Sequence, residues 1–256
     1  MTLSAASAVL SVTALTHRYG ALTTVDGVDL EVAVGSRHGL IGANGAGKTT
    51  LLHLIGGTLH PHAGQIRYHG KTVTDWPVRR RAIAGIGRTH QTPAVLPTLS
   101  ALDNVVAAVW PYARRHVARP GKRRAGLRVE AMSTLDTVGL ARHAHTPAGA
   151  LSHGQRRLLE LAAVLATRPR LLLLDEPAAG LTADDRRRVI EQLIALPADT
   201  SVLLVEHHLD LVAAVCDTVT ALHQGRHLHT APPDTLWLHP EVAAAYPRPA
   251  SSVPAC

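Results

Sequence analysis

The chain has 256 residues, 46% of them hydrophobic and 18% charged, which reads as a globular protein with length for one large or two-lobed domain. It holds no run of about 18 uncharged apolar residues, so no membrane-spanning helix is expected. Its two cysteines, Cys216 and Cys256, offer no disulfide framework, in keeping with a reducing cytosol. A net charge of +7 admits phosphate ligands, acidic membrane surfaces or nucleic acid as partners.

Met1 to Thr16 is uncharged and lacks a basic n-region, so it reads as a loose start running into a first strand, Val9–His17, not as a signal peptide. Tyr19 follows, one of few aromatics (3%), either a flat partner for an adenine ring or a strand-end side chain packed on the core. Val28–Val34 alternates apolar with acidic residues and predicts a half-buried strand. Arg37–Ile41 predicts a short buried strand. After it, Gly42-Ala43-Asn44-Gly45-Ala46-Gly47-Lys48-Thr49-Thr50 fits the phosphate-binding pattern G-x-x-x-x-G-K-[ST].

That loop makes specific demands. Successive N–H groups must turn inward around a polyphosphate, and glycines let the backbone come close. Lys48 adds positive charge near the β and γ phosphates, and the Thr49 hydroxyl is placed for Mg²⁺. Leu51, Leu52, Leu54 and Ile55 predict a buried helix whose N-terminus faces the phosphates.

Gly64–Tyr68 and Lys71–Val73 predict a hairpin-like pair around His69-Gly70. Gly85–Thr89 predicts another strand, ending in His90-Gln91. Helices are expected over Leu102–Trp110 and about Gly126–Val138, with no strand from Thr89 to Leu165. Two basic runs, Arg79–Arg81 and Arg114–Arg128, carry no interleaved aromatics and read as solvated or headgroup-facing loops. The 17 histidines, with pairs at His60/His62, His143/His145 and His227/His229, lack a cysteine or carboxylate at zinc spacing and read as compositional bias.

Ser152 predicts the N-cap of a helix buried through Leu158, Leu161, Ala162 and Leu165. Leu171–Leu174 predicts a central parallel strand delivering Asp175 and Glu176 at its carboxyl end. Asp175 is placed to reach Mg²⁺ and Glu176 to deprotonate an attacking water. A helix over about Ala183–Ala195, a strand over Ser201–Val205, a helical stretch to Cys216 and a strand over Thr218–Leu222 complete a doubly wound α/β sheet. His207 stands at a strand end where such sheets bind ligands, and His208 is expected to be solvated. Short helices are expected over Pro232–Tyr246.

Together these segments resemble the ATP-binding-cassette ATPases over about Leu10 to Tyr246. GANGAGKT matches the Walker A loop, LLLLDE the Walker B strand, and Leu151-Ser-His-Gly-Gln155 the LSGGQ signature with one change. Gln91 stands at the Q-loop, His207 at the switch histidine and Tyr19 at the adenine-stacking position. Within the family the chain is most similar to the larger ATPase subunit of branched-chain amino acid importers. That narrower resemblance rests on Gly85–Gln91, Glu176–Leu181, Val205–His207 and His239–Tyr246.

The resemblance implies a P-loop NTPase fold: a RecA-like parallel core sheet, an antiparallel β subdomain and an inserted α-helical subdomain at about 92–165. The nucleotide-binding domain would span 7–246, with 247–256 a loose tail. It also implies a head-to-tail dimer, each ATP lying between one subunit's Gly42–Thr50 and the other's Ser152, His153, Gly154 and Gln155. Mg²⁺ would fall to Thr49, Asp175 and Gln91, the general base to Glu176, and γ-phosphate contact to His207.

The implied partners are transmembrane permease subunits at the cytoplasmic face of the membrane, a second ATPase subunit (a copy or a sibling) and, indirectly, a solute-binding protein. Nucleic acid is not expected. Other readings are an ATP-binding regulatory subunit with weak hydrolysis, an exporter cassette, or an ABC ATPase working on nucleic acid or ribosomes. Three residues depart from the family pattern: His153 for glycine, His90 for phenylalanine, and Thr182 for Asp or Asn.

Overall fold

The computed structural model describes residues 8–112 and 120–246, without the side chains of 120–124. The loose start, the beginning of the basic Arg114–Arg128 segment and the C-terminal tail with Cys256 lie outside the described residues. In chain order the strands are β1 (Ala8–Tyr19), β2 (Leu22–Ala33), β3 (Arg37–Gly42), β4 (Ala63–Tyr68), β5 (Lys71–Thr72), β6 (Ile86–Arg88), β7 (Leu171–Asp175), β8 (Ser201–Val205), β9 (Thr218–His223) and β10 (Arg226–Ala231). The helices are α1 (Lys48–Gly56), α2 (Val78–Ala84), α3 (Ala101–Val109), α4 (Pro120–Thr137), α5 (His153–Ala166), α6 (Ala183–Ile194), α7 (Leu209–Val215) and α8 (Pro240–Ala245). The described residues form two compact units, one made of 8–78 with 201–246 and the other lying within 79–200.

The first unit holds an antiparallel sheet in the order β2-β1-β4-β5. In β1 the residues Val9, Leu10, Val12 and Leu15 are buried, and the alternation breaks where Ala14 takes a φ of 48°. Asp29 accepts the Ala14 N–H at 2.8 Å, which fixes this bulge. Beside it, β3 lies between β8 and β9, parallel to both, and β10 runs antiparallel along β9. Every residue of β8 is buried, as a strand covered on both faces requires. Gly39 of β3 is tightly packed: a Cβ there would come within 3.2 Å of Cys216 Sγ, Val212 and Val219, and those side chains would have to shift. Burial, with Asp217 adding to it, pushes the Cys216 thiol up to about 12, so it stays a protonated core side chain.

The second unit pairs β6 with β7 in parallel, Arg88 opposite Leu173. Helices α3, α4 and α5 pack together, and Leu102, Val105, Ala131, Leu135, Leu158 and Leu161 on them are all buried. Ser100 caps α3 by accepting the Asp103 N–H, and Asp103 pairs with Arg128 of α4 at 2.7 Å. Between Thr89 and Leu165 the described residues contain no strand, only an isolated bridge from Ser100 to Pro147.

Three expectations need correction. The Arg79–Arg81 run is not a solvated loop but part of α2, and Arg81 is only 1% exposed. The basic segment before Gly126 is helical from Pro120: proline suits a helix start, where no N–H is needed, and the apolar period that betrays a helix begins only at Leu127. His208 is only partly solvated, its side chain 38% exposed, and its Nδ1 lies 3.0 Å from Glu206. Strand β10, RHLHTA, has too little alternation to be read from the sequence.

Candidate functional site

The first unit carries the phosphate loop, Tyr19 and His207. Strand β3 is buried from His38 to Gly42 and aims the loop at its carboxyl end. Gly45 and Gly47 take φ of 80° and 98°, backbone that side chains resist. A Cβ on Gly47 would collide with the Thr24 carbonyl, while one on Gly45 would meet nothing within 4 Å. The loop therefore packs tightly behind Gly47 and leaves open space beside Gly45.

Lys48 is 5% exposed, and its ammonium donates to the Gly42 and Ala43 carbonyls at 2.7 and 3.0 Å. Gly47 is the N-cap of α1, with no side-chain cap and no acidic residue in the first turn. A helix start that carries no side-chain cap, with a cation folded into the same loop, suits an anion. Asn44, Ala46, Thr49 and Thr50 complete the turn into α1, and the Ala46 N–H donates to the Ala43 carbonyl at 3.1 Å.

Two braces of this loop escaped the sequence reading. The Gly225 N–H donates to the Ala46 carbonyl at 3.1 Å. The Tyr246 hydroxyl accepts the Ala43 N–H and donates to the Leu222 carbonyl. Tyr246 closes the ending His239–Tyr246 that carries part of the family resemblance, but its residue type alone does not announce this contact.

Tyr19 is 50% exposed at the end of β1, its ring edge-on to His17 at 4.8 Å. His207 is exposed just past β8. Glu206 before it is 1% exposed, and one of its carboxylate oxygens accepts the His207 and His208 N–H groups at 2.8 and 3.2 Å. Glu206 thus sets the turn that presents His207, a part its bare position in Val-Glu-His did not reveal.

The second unit carries Gln91, Asp175, Glu176 and the signature segment. Asp175 is 1% exposed at the end of β7, and its N–H donates to Thr89 Oγ1 at 3.3 Å. Glu176 takes a φ of 48°, a left-handed conformation rare for a residue with a side chain. Buried Arg157 donates to the Glu176 carbonyl at 3.0 Å and to the Gln91 carbonyl at 2.7 Å, bringing these two residues to one guanidinium. Burial pulls the Arg88 guanidinium below its ordinary pKa, while the carboxylates of Asp175 and Glu160 act the other way.

At the head of α5, Ser152 accepts the Gln155 N–H at 3.2 Å and the Gln155 side chain accepts the Ser152 N–H at 2.9 Å, a full capping box. Gly154 packs under Leu181, whose Cδ2 would lie 3.3 Å from an added Cβ. The His153 ring turns toward Gly180, with Cδ2 3.5 Å from where a Cβ would stand. Thr182 caps α6: it accepts the Asp185 N–H at 3.2 Å and donates to the Asp185 carboxylate at 2.9 Å. Asp, Asn and Thr all cap helices, so this departure keeps the local structure. His90 places Nδ1 3.0 Å from Glu160.

The sequence profile of the ABC transporter family matches residues 25–179. The chain is 35% identical to the high-affinity branched-chain amino acid transport ATP-binding protein BraF of Pseudomonas aeruginosa, over 93% of this chain and 97% of that one. It is 32% identical to LivG of Escherichia coli, which carries the same description, over the same shares. Among solved structures, a nucleotide-free ATP-binding cassette from an ABC transporter superposes with a TM-score of 0.80 at 25% identity, covering 93% of this chain and 98% of that one. An ADP-bound cassette superposes at 0.79 with the same identity and coverage.

Proposed function

The chain belongs to the ABC transporter family, and from that premise we propose that it is the ATP-hydrolysing subunit of an importer for branched-chain amino acids or related small polar solutes. The observation that carries this reading is the phosphate loop: a helix start without a side-chain cap, open space at Gly45, and Lys48 folded against the loop's own carbonyls. Support for the substrate class comes from BraF and LivG, whose identity to this chain runs nearly end to end.

In the proposed mechanism the ATP polyphosphate lies against the loop and the positive end of α1, and Lys48 neutralises its β and γ oxygens. Tyr19 offers its exposed ring to the adenine. The Thr49 hydroxyl, the Asp175 carboxylate and the Gln91 amide oxygen are hard oxygen donors that suit Mg²⁺. When bound, that ion offsets negative charge on the phosphates.

Glu176 accepts the proton of the attacking water, and His207 holds the γ-phosphate. Ser152 to Gln155 of a second subunit close over the γ-phosphate, using the positive end of α5. Closure favours the ATP-bound dimer and hydrolysis reopens it, a population shift driven by differential affinity.

Among the described residues no helix is long and apolar enough to cross a membrane. In the proposed assembly separate permease subunits form the solute path, a solute-binding protein feeds them, and this chain works at their cytoplasmic face. The test is Mg²⁺-dependent ATP turnover of the native chain beside Glu176→Gln, then ATP-driven leucine uptake by proteoliposomes holding the chain with its permeases. Turnover should drop at least ~100-fold in the variant, with ATP retained. Equal turnover in both would reject Glu176 as the base, and uptake of neither leucine nor any other branched-chain amino acid or related small polar solute would reject the substrate class.

A further inference from the structure

Arg157 and Glu160 stand one turn apart on α5, 5% and 3% exposed, and each directs its charge at backbone groups around two functional residues. Arg157 spreads its two terminal nitrogens over two carbonyls, Nη1 to Glu176 at 3.0 Å and Nη2 to Gln91 at 2.7 Å. Glu160 uses one oxygen, Oε1, for the His90 N–H at 3.0 Å, the Ala94 N–H at 3.1 Å and the His90 ring at 3.0 Å. The Gln91 turn is thus held by its carbonyl from one side and by N–H groups flanking it from the other.

Burying a full charge is costly unless it is well bonded. Here the compensation is incomplete, because Nε of Arg157 and Oε2 of Glu160 are buried without a hydrogen bond. Two buried charged side chains kept for stability alone would be better satisfied, or replaced by apolar ones. Glu176, meanwhile, sits at a φ of 48°, a conformation that persists only where its surroundings hold it.

We propose that Arg157 and Glu160 are positioning residues that fix Gln91 relative to Glu176, Arg157 by bridging their carbonyls and Glu160 by gripping both shoulders of the Gln91 turn. A lysine cannot replace Arg157, because a single ammonium lacks the planar fork that spans two separate carbonyls. A glutamine can replace Glu160, because its amide oxygen accepts the same N–H groups. Since α5 begins at Ser152, the same helix that meets the partner's ATP also fixes Gln91 and Glu176 in its own subunit.

The inference rests on the proposed roles of Glu176 and Gln91, so the test carries its own control. The full chain would be compared as native, Glu176→Gln, Arg157→Lys, Arg157→Met, Glu160→Gln and Glu160→Leu, reading kcat, ATP affinity and melting temperature for each. Both Arg157 variants and Glu160→Leu should lose at least ~10-fold in kcat with ATP affinity within ~3-fold of native, while Glu160→Gln keeps kcat within ~3-fold.

Undiminished turnover in Glu176→Gln would overturn the functional reading and this inference with it. Loss in Glu176→Gln beside native-like turnover in Arg157→Lys and Arg157→Met would overturn the inference alone. So would ATP affinity and melting temperature falling in step with kcat, since that marks damage to the fold. Arg157→Lys keeps the charge and the stem, and it decides the matter where Arg157→Met fails to fold.

Discussion

The Tyr246 hydroxyl accepts the Ala43 N–H at 3.1 Å and donates to the Leu222 carbonyl, tying the last described residue to the first turn of the phosphate loop. Burial raises the phenol's pKa, so the hydroxyl stays protonated and can serve both partners. Tyr246→Phe keeps the ring and removes both bonds. Loss of a bond of this kind is worth about 1 kcal/mol, so ATP affinity should weaken about 5-fold, with kcat at saturation changed little. Unaltered affinity in a titration with a fluorescent ATP analogue would mean the loop needs no such brace.

The capping box at Ser152 separates two duties of one side chain. Ser152→Ala removes the cap and should lower stability by ~1 kcal/mol. Ser152→Asp keeps the cap but sets a negative charge where the partner's phosphates are proposed to lie. It should melt like the native chain yet fail to dimerise with ATP, as followed by size-exclusion chromatography of Glu176→Gln carrying each change. ATP-dependent dimers in the Asp form would sink the proposed placement.

Glu206 holds the His207 turn through one buried carboxylate oxygen. Glu206→Gln retains an acceptor and should keep turnover within ~3-fold of native. Glu206→Leu leaves two N–H groups unpaired and lets His207 wander, so kcat should fall ~10-fold or more. Equal kinetics in the two variants would show that His207 does not depend on this anchor.

His38 makes stability depend on pH. It is buried in β3, with Nε2 2.8 Å from Thr220 Oγ1, and Thr220 in turn meets Thr230 at 2.7 Å. Burial, and secondarily the nearby His227, lowers its pKa from 6.5 to about 4. The unfolded chain thus binds this proton at higher pH than the folded one. The His38 contribution is complete above pH 6.5 and declines as pH falls toward 4, by ~3 kcal/mol in total. In His38→Val, urea unfolding between pH 4 and 6.5 should lose that part of the pH slope. Parallel stability profiles for native and variant would refute it.

Much of the architecture was legible because its signals are local. The apolar run Leu171–Leu174, the alternation in β2 and the glycine pattern from Gly42 to Gly47 each report a backbone state through neighbouring residues. Ser152 and Gln155 announce a helix start by type and spacing alone, and the structure closes both bonds of the box. Strand β10 and helix α2 were not legible. A hairpin edge built from histidine and threonine shows no alternation, and three consecutive arginines look solvated until Arg81 is seen buried.

By itself, then, the sequence determined which chemical groups stand at strand ends and loop turns: Lys48 and Thr49, Gln91, Asp175 and Glu176, His207. Tertiary structure alone decided what holds them. Tyr246 reaches Ala43 across 203 positions, Arg157 joins Gln91 and Glu176 from 66 and 19 positions away, and Glu160 reaches His90 from 70. Such bonds depend on side chains meeting backbone atoms of remote segments, and any residue offers the same N–H and C=O. The candidate reacting groups can be read from residue type, whereas their supports become visible only once the chain has brought distant backbone within about 3 Å.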